Sequence, residues 1–243
     1  MNAILYKQLV DFASFITDPL WGLYNSAYNG YFGAPLLGAI LLGVIASVYP
    51  SQLAAHIGSI PLIAKQMMHR KDWWKMVTGL FLGKLIGVYL LTGFIIWLEG
   101  NKLEGIVEKV SMASAPFFLV LGVLFFQWSR LLEKGIPINK PSQPILWKGL
   151  AVGFVLSLFL DSGVYQIYTM YTPWIIDKSI FYVLIIPFLF AFATFFPLLI
   201  FSILGYGYKL DVFLKKKSGS KLVYIYFGFI YFFVALNLFL LYW

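Results

Sequence analysis

A short run of polar residues interrupts an otherwise apolar stretch of this 243-residue chain. In "GVIASVYPSQLAAHIGSIP", Pro50 is followed at once by Ser51 and Gln52, with His56 one turn later. Pro50 has no N–H, so the Ala46 carbonyl loses its helical partner, and in lipid that carbonyl must be satisfied by another group. Gln52 and His56 stand four apart and share a helix face. Two further residues are out of place in the same way. Asp161, in "SLFLDSGVY", is the only acid inside an apolar span, and Lys84, in "GLFLGKLIGVYLL", is the only base well inside one. Ionisable groups in such positions are functional candidates by default. Lys84 is placed either to pair with Asp161 across helices or to snorkel to a nearby membrane edge. Pro197, in "ATFFPLLIFSILG", frees the Ala193 carbonyl, which Thr194 is placed to cover. Plain kinks with satisfied polar groups are the competing reading at Pro50, His56 and Pro197.

Several chemistries are excluded or unsupported. The chain has no cysteine, so as written it does no thiol chemistry. With two histidines it predicts no multi-histidine metal site, and no cofactor is expected. "LDSGVY" resembles a serine-protease signature only superficially, because neither histidine has a matching acid. No nucleic-acid motif is present. The net charge of +8 reads instead as an orientation signal.

These residues must be positioned by membrane helices. The chain is 61% hydrophobic and 12% charged, against roughly half and a quarter in soluble domains, and its mean hydropathy is +0.84. Composition therefore predicts an all-α integral membrane protein with the bilayer as its first partner. Six apolar segments span about 33–66, 76–98, 111–131, 147–175, 180–205 and 222–243. The first and fourth would run roughly 45–50 Å as helices, too long for an apolar core of about 30 Å. Both are predicted to break, with Pro50 and Pro61 as punctuation in one and Pro173 in the other. Basic residues cluster on three alternate loops, around Lys71, Lys140 and Lys216. These should face the cytoplasm, with both termini outside it and the chain multi-pass in a plasma or inner membrane. Residues 1–30 carry Leu5, Leu9, Phe12 and Ile16 at helical spacing and are predicted as an amphipathic surface helix. No signal peptide is evident.

Residues 31–243 divide into halves at about 31–131 and 147–243 that share a pattern. "GVIAS" at 43–47 and "GFVLS" at 153–157 both read Gly-x-x-x-Ser. Each runs into a polar interruption, Ser51-Gln52 or Asp161-Ser162, and then reaches a proline. With three spans per half, the repeats would be inverted in the membrane, and matched breaks in inverted halves point to a midplane site.

"ASVYPSQLAAHIGSI" resembles the first helix of the CcdA and DsbD membrane domains, where a Pro-Cys pair follows a serine or threonine. "HRKDWWKMVTGLFLGKLIGVYLL" is similar to their second helix through Gly83 and Lys84, with lysine for arginine and Tyr89 one position late. "ATFFPLLIFSIL" resembles their fifth through Thr194 and Pro197. The resemblance covers about residues 34–243. It implies a thiol–disulfide electron carrier of the cytochrome c biogenesis kind. Cytoplasmic thioredoxin would reduce a cysteine pair in the first and fourth helices, and the pair would reduce an extracytoplasmic thiol protein. Ser51 falls where the first cysteine would be. In the fourth helix the Gly-x-x-x-Ser alignment sets Asp161 opposite Ser51, and alignment on serine sets Ser162 there. A hydroxyl cannot attack a disulfide, so the chain as written would be an inactive form of such a carrier, or a cysteine-free relative with another task. The alternative is a small-solute or ion exporter using Gln52, His56, Lys84 and Asp161, since the wider superfamily contains permeases. A scaffold without transport is a third reading.

Overall fold

The first apolar helix ends just short of position 50. In the computed structural model, α1 runs from Ala34 to Val48 and the backbone bends at Tyr49. The Ala46 carbonyl, deprived of an N–H at position 50, accepts instead from the Tyr49 N–H at 3.3 Å. Helical bonding resumes with the Leu53 N–H donating to the Tyr49 carbonyl at 2.8 Å. The structure describes residues 14–15, 18–25, 34–49, 70–100, 144–158, 162–176 and 179–207, together with selected residues within 52–63, 115–127 and 225–239. Pro50, Ser51 and Asp161 lie outside the described residues.

The fourth apolar segment also breaks. Helix α3, Ile145–Ser157, closes with the Leu158 N–H on the Val155 carbonyl at 3.0 Å. Helix α4 restarts at Ser162 and runs to Tyr171. Pro173 lies in the 3₁₀ turn Thr172–Trp174 that finishes the segment. Between them in sequence lies α2, Arg70–Gly100, and after them α5, Ile180–Gly207, which holds Pro187 and Pro197 inside it. No strand occurs among the described residues. Of the predicted N-terminal helix, 18–25 is helical and Tyr24 is buried against Trp174, with ring centroids 6.1 Å apart. Leu5, Leu9, Phe12 and Ile16 lie outside the described residues.

Helices α2 and α3 are joined by a seam of small residues. Gly79, Gly83 and Gly87 face Gly149, Gly153 and Ser157. The backbones approach so closely that a methyl group on Gly83 would overlap the Leu150 carbonyl, and one on Gly153 the Leu80 carbonyl. Small residues at every fourth position permit this approach, and dispersion contacts along it hold such pairs together in apolar surroundings. Helix α1 packs on α5 in a similar way. A methyl on Gly43 would stand 2.7 Å from the Phe190 carbonyl oxygen. The two breaks meet where Gly163, in the first turn of α4, abuts the Tyr49 ring. The Trp73 indole donates to Ser202 at 2.8 Å in a buried contact, tying the start of α2 to the end of α5.

Lys71–Leu98 and Ile180–Leu204 are each long and apolar enough to cross a membrane, whereas Pro35–Val48 and Ile145–Ser157 are shorter apolar helices. The outward rows of the long helices are apolar. On α2, Leu82, Ile86, Leu90 and Phe94 are exposed, and on α5 so are Leu184, Phe188, Phe192, Phe196, Ile200 and Leu204. Both rows repeat every four residues, the step that keeps side chains on one face. A helix at a water-facing surface shows the reverse, with polar residues outward.

Candidate functional site

The polar residues that follow the first break converge on Lys84. Gln52 and His56 lie on one face of the turn that restarts after Pro50, Lys84 comes from α2, and Thr194 comes from α5. The Lys84 Nζ donates to Gln52 Oε1 at 3.3 Å and to the Thr194 carbonyl at 3.2 Å, and lies 2.8 Å from His56 Nε2. All four residues are buried, Lys84 to 2% exposure. The small-residue seam sets this geometry, because Gly83 faces α3 and so directs its neighbour Lys84 into the angle between helices.

Snorkelling of Lys84 is therefore corrected: its Nζ is held inward by Gln52 Oε1, the Thr194 carbonyl and the His56 ring. No carboxylate contacts it among the described residues, and Asp161 lies outside them. Thr194 also acts otherwise than expected. Its hydroxyl donates to the Ala191 carbonyl at 2.9 Å, not to that of Ala193. It is the backbone carbonyl of Thr194 that binds Lys84.

That carbonyl lies three residues before Pro197, and the pattern recurs at the other proline of α5. The Leu184 carbonyl, three residues before Pro187, accepts from the Tyr89 hydroxyl of α2. A proline loosens the preceding turn of the ladder, and at each one α2 supplies a side chain to the opened backbone. Tyr89→Phe should lower stability by about 1 kcal/mol, the ordinary loss for one hydrogen bond. Thermal unfolding of the purified chain would measure this, and no change in midpoint would show that Tyr89 merely rests on α5.

Among the described residues the His56 ring meets Lys84 through Nε2, and its Nδ1 has no hydrogen-bond partner although the residue is wholly buried. Its backbone carbonyl accepts from the Ser59 hydroxyl at 2.7 Å. A cavity of about 10 Å³ adjoins the cluster, room for about one water molecule. Gln52, Lys84, Ser157, Tyr168 and Thr194 line it beside apolar residues. Of the residues singled out in the sequence, Gln52, His56 and Lys84 come together, and Pro197 lies one turn from the carbonyl that completes the set. Ser162 opens α4. Tyr168 and the Thr194 carbonyl are additions that carried no sequence signal, because a tyrosine in an aromatic-rich chain is unremarked and a backbone carbonyl has no residue type.

No protein-family model, curated protein or solved structure matches the chain.

Proposed function

We propose that the chain is a six-span helical membrane protein built as two inverted halves, and that Lys84 and its acceptors form the translocation site of a small-solute or ion carrier. One observation carries this reading. A lysine is buried in a polar cluster while the outward faces of both long helices are apolar. That reverses the distribution of a water-soluble protein, and an ionisable group so placed marks a pathway.

The inverted-repeat reading draws support from the contacts. Lys84 and Thr194 are separated by 110 residues, and the same shift carries Gly43 to Gly153 and Leu80 to Phe190. The Gly43–Phe190 approach between α1 and α5 thus has its counterpart in the Gly153–Leu80 approach between α3 and α2. Ser47 and Ser157 are likewise equivalent. Each donates to the carbonyl three residues back, Val44 or Phe154, at 2.6 Å. Lys84 and Thr194 are therefore each other's equivalents, and the bond between them lies at the pseudo-two-fold axis. Carriers of inverted design hold their substrate there.

Two experiments test the proposal. Because the chain has no cysteine, single cysteines introduced at Lys71, Lys140 and Lys216 report sidedness cleanly. All three should react with an impermeant maleimide only after permeabilisation, and labelling of any one in intact cells would end the six-span topology. For function, the full chain on a solid-supported membrane is perfused with amines, amino acids, carboxylates, halides and sugars. At least one class should evoke a charge-displacement current that Lys84→Met abolishes. If none does, the carrier reading fails.

A second reading, the thiol–disulfide carrier, is favoured by the contact of Gly163 with Tyr49, which sets the two breaks side by side. Cysteines restored at Ser51 and Ser162 should then form an intramolecular disulfide that reduced thioredoxin opens. A pair that stays dithiol under mild oxidant would dispose of it.

A further inference from the structure

We propose that two buried hydrogen bonds, Tyr171 to Thr92 and Trp73 to Ser202, are the two gates of the Lys84 site, one on either side of it, and that they open in alternation. The inference rests on the carrier reading above and deepens it by naming what lets a solute reach the site. Lys84, Val88 and Thr92 stand four apart and share one face of α2. Val88 lines the cavity beside Lys84, so Thr92 is the next step along that face. There the Thr92 hydroxyl donates to the Val88 carbonyl at 2.8 Å, and its oxygen accepts from the Tyr171 hydroxyl at 2.5 Å. The Tyr171 ring packs on Tyr168 and Phe190, with centroids 5.4 and 4.8 Å away, and both of those residues line the cavity. Tyr171 and Thr92 are buried, and the ring fills the way out on that side.

The other side is closed at the equivalent hydroxyl. The 110-residue shift that carries Lys84 to Thr194 carries Val88 to Leu198 and Thr92 to Ser202. Each hydroxyl stands eight residues beyond the Lys84–Thr194 bond, about 12 Å along its helix. The Ser202 oxygen accepts from the Trp73 indole, as that of Thr92 accepts from Tyr171. Positions 73, 84 and 89 of α2 meet 202, 194 and 184 of α5. The two helices are therefore antiparallel, and the two hydroxyls lie on opposite sides of the site. Hinges supply an independent observation. Tyr171 is the last residue of α4, and Pro173 follows it in the 3₁₀ turn. Pro197 stands between Thr194 and Ser202 inside α5, where a proline loosens the ladder. Each gate thus has one partner beside a weak point in its own helix. A cavity of about 10 Å³ passes no solute, so carriage requires one gate to open at a time.

The test places one cysteine at Val88, which borders the cavity, in the otherwise cysteine-free full chain. A membrane-impermeant thiosulfonate is applied to intact cells and to inside-out vesicles, and the labelling rate is read from each side. Labelling through a minor open state follows the population of that state. Tyr171→Phe, or Thr92→Val should the first variant fail to fold, should raise the rate about fivefold from one side only, the gain expected from losing one buried hydrogen bond. Ser202→Ala should raise it by a similar factor from the opposite side only. Tyr89→Phe, which removes a different α2–α5 hydrogen bond, should raise it from neither. Unchanged rates in the gate variants, or equal gains from both sides, would overturn the gates. So would an equal gain in Tyr89→Phe, because any lost tie would then merely loosen the bundle. The solute panel separates this inference from its parent. Sided gains with no current from any solute keep the gates and end the carrier reading. Lys84-dependent currents with gains that are not sided keep the carrier and remove the gates.

Discussion

Gly153→Leu should yield no recoverable folded protein, whereas Gly93→Leu, on the same small-residue-rich α2–α3 pair, should be tolerated. A methyl at Gly153 already overlaps the Leu80 carbonyl, and this obstacle is backbone, not a flexible side-chain end. Overpacking a tight core typically costs about 1–3 kcal/mol for modest insertions. A four-carbon side chain at a backbone–backbone contact would force α2 and α3 apart along Gly79–Gly149, Gly83–Leu150 and Gly87–Ser157 together. That loss is large against a typical total stability of about 5–15 kcal/mol. At Gly93 nothing lies within 4 Å of the position a Cβ would take. Fluorescence-detected size exclusion of the two variants in detergent makes the comparison. A monodisperse Gly153→Leu peak with an unchanged melting midpoint would refute the seam as the fold's tightest constraint.

The second large effect lies in the Lys84 cluster. His56→Leu should destabilise by about 3 kcal/mol, because it leaves a buried ammonium without one of its hydrogen-bond partners. Lys84→Met should cost less, since it removes the charge itself and strands only neutral acceptors, at about 1–3 kcal/mol for a group left without a donor. The double variant should then be more stable than His56→Leu alone, with a coupling of at least about 1 kcal/mol between the two sites. On the carrier proposal, transport should be lost in every variant without Lys84. Lys84→Arg should not rescue it, because a planar guanidinium cannot direct three donors from one compact head at Gln52, His56 and the Thr194 carbonyl. Thermal midpoints for the four-member cycle, read beside charge-displacement currents, test both parts. Additive midpoints would mean that Lys84 and His56 are neighbours without an energetic bond.

Local covalent chemistry made the helix breaks legible in the sequence. A proline at position 50 has no N–H to give, whatever surrounds it, so the turn at Ala46 had to close differently. The polar pair at 161–162 marked the second interruption, and α4 does begin at Ser162. The four-residue spacing of Gln52 and His56 likewise decided that they share a face. The direction taken by Lys84 was not decided locally. Its stem is long and flexible enough to reach either a membrane edge or the interior, and the choice depends on acceptors from three separate segments. One of them, the Thr194 carbonyl, is backbone and leaves no mark in the residue types. The glycines at 79, 83 and 87 and at 149 and 153 stand four residues apart in the sequence, but that spacing names no partner, because any small-residue face fits any other. Tertiary packing paired α2 with α3 and α1 with α5, and that pairing brought Lys84 to Gln52 and His56.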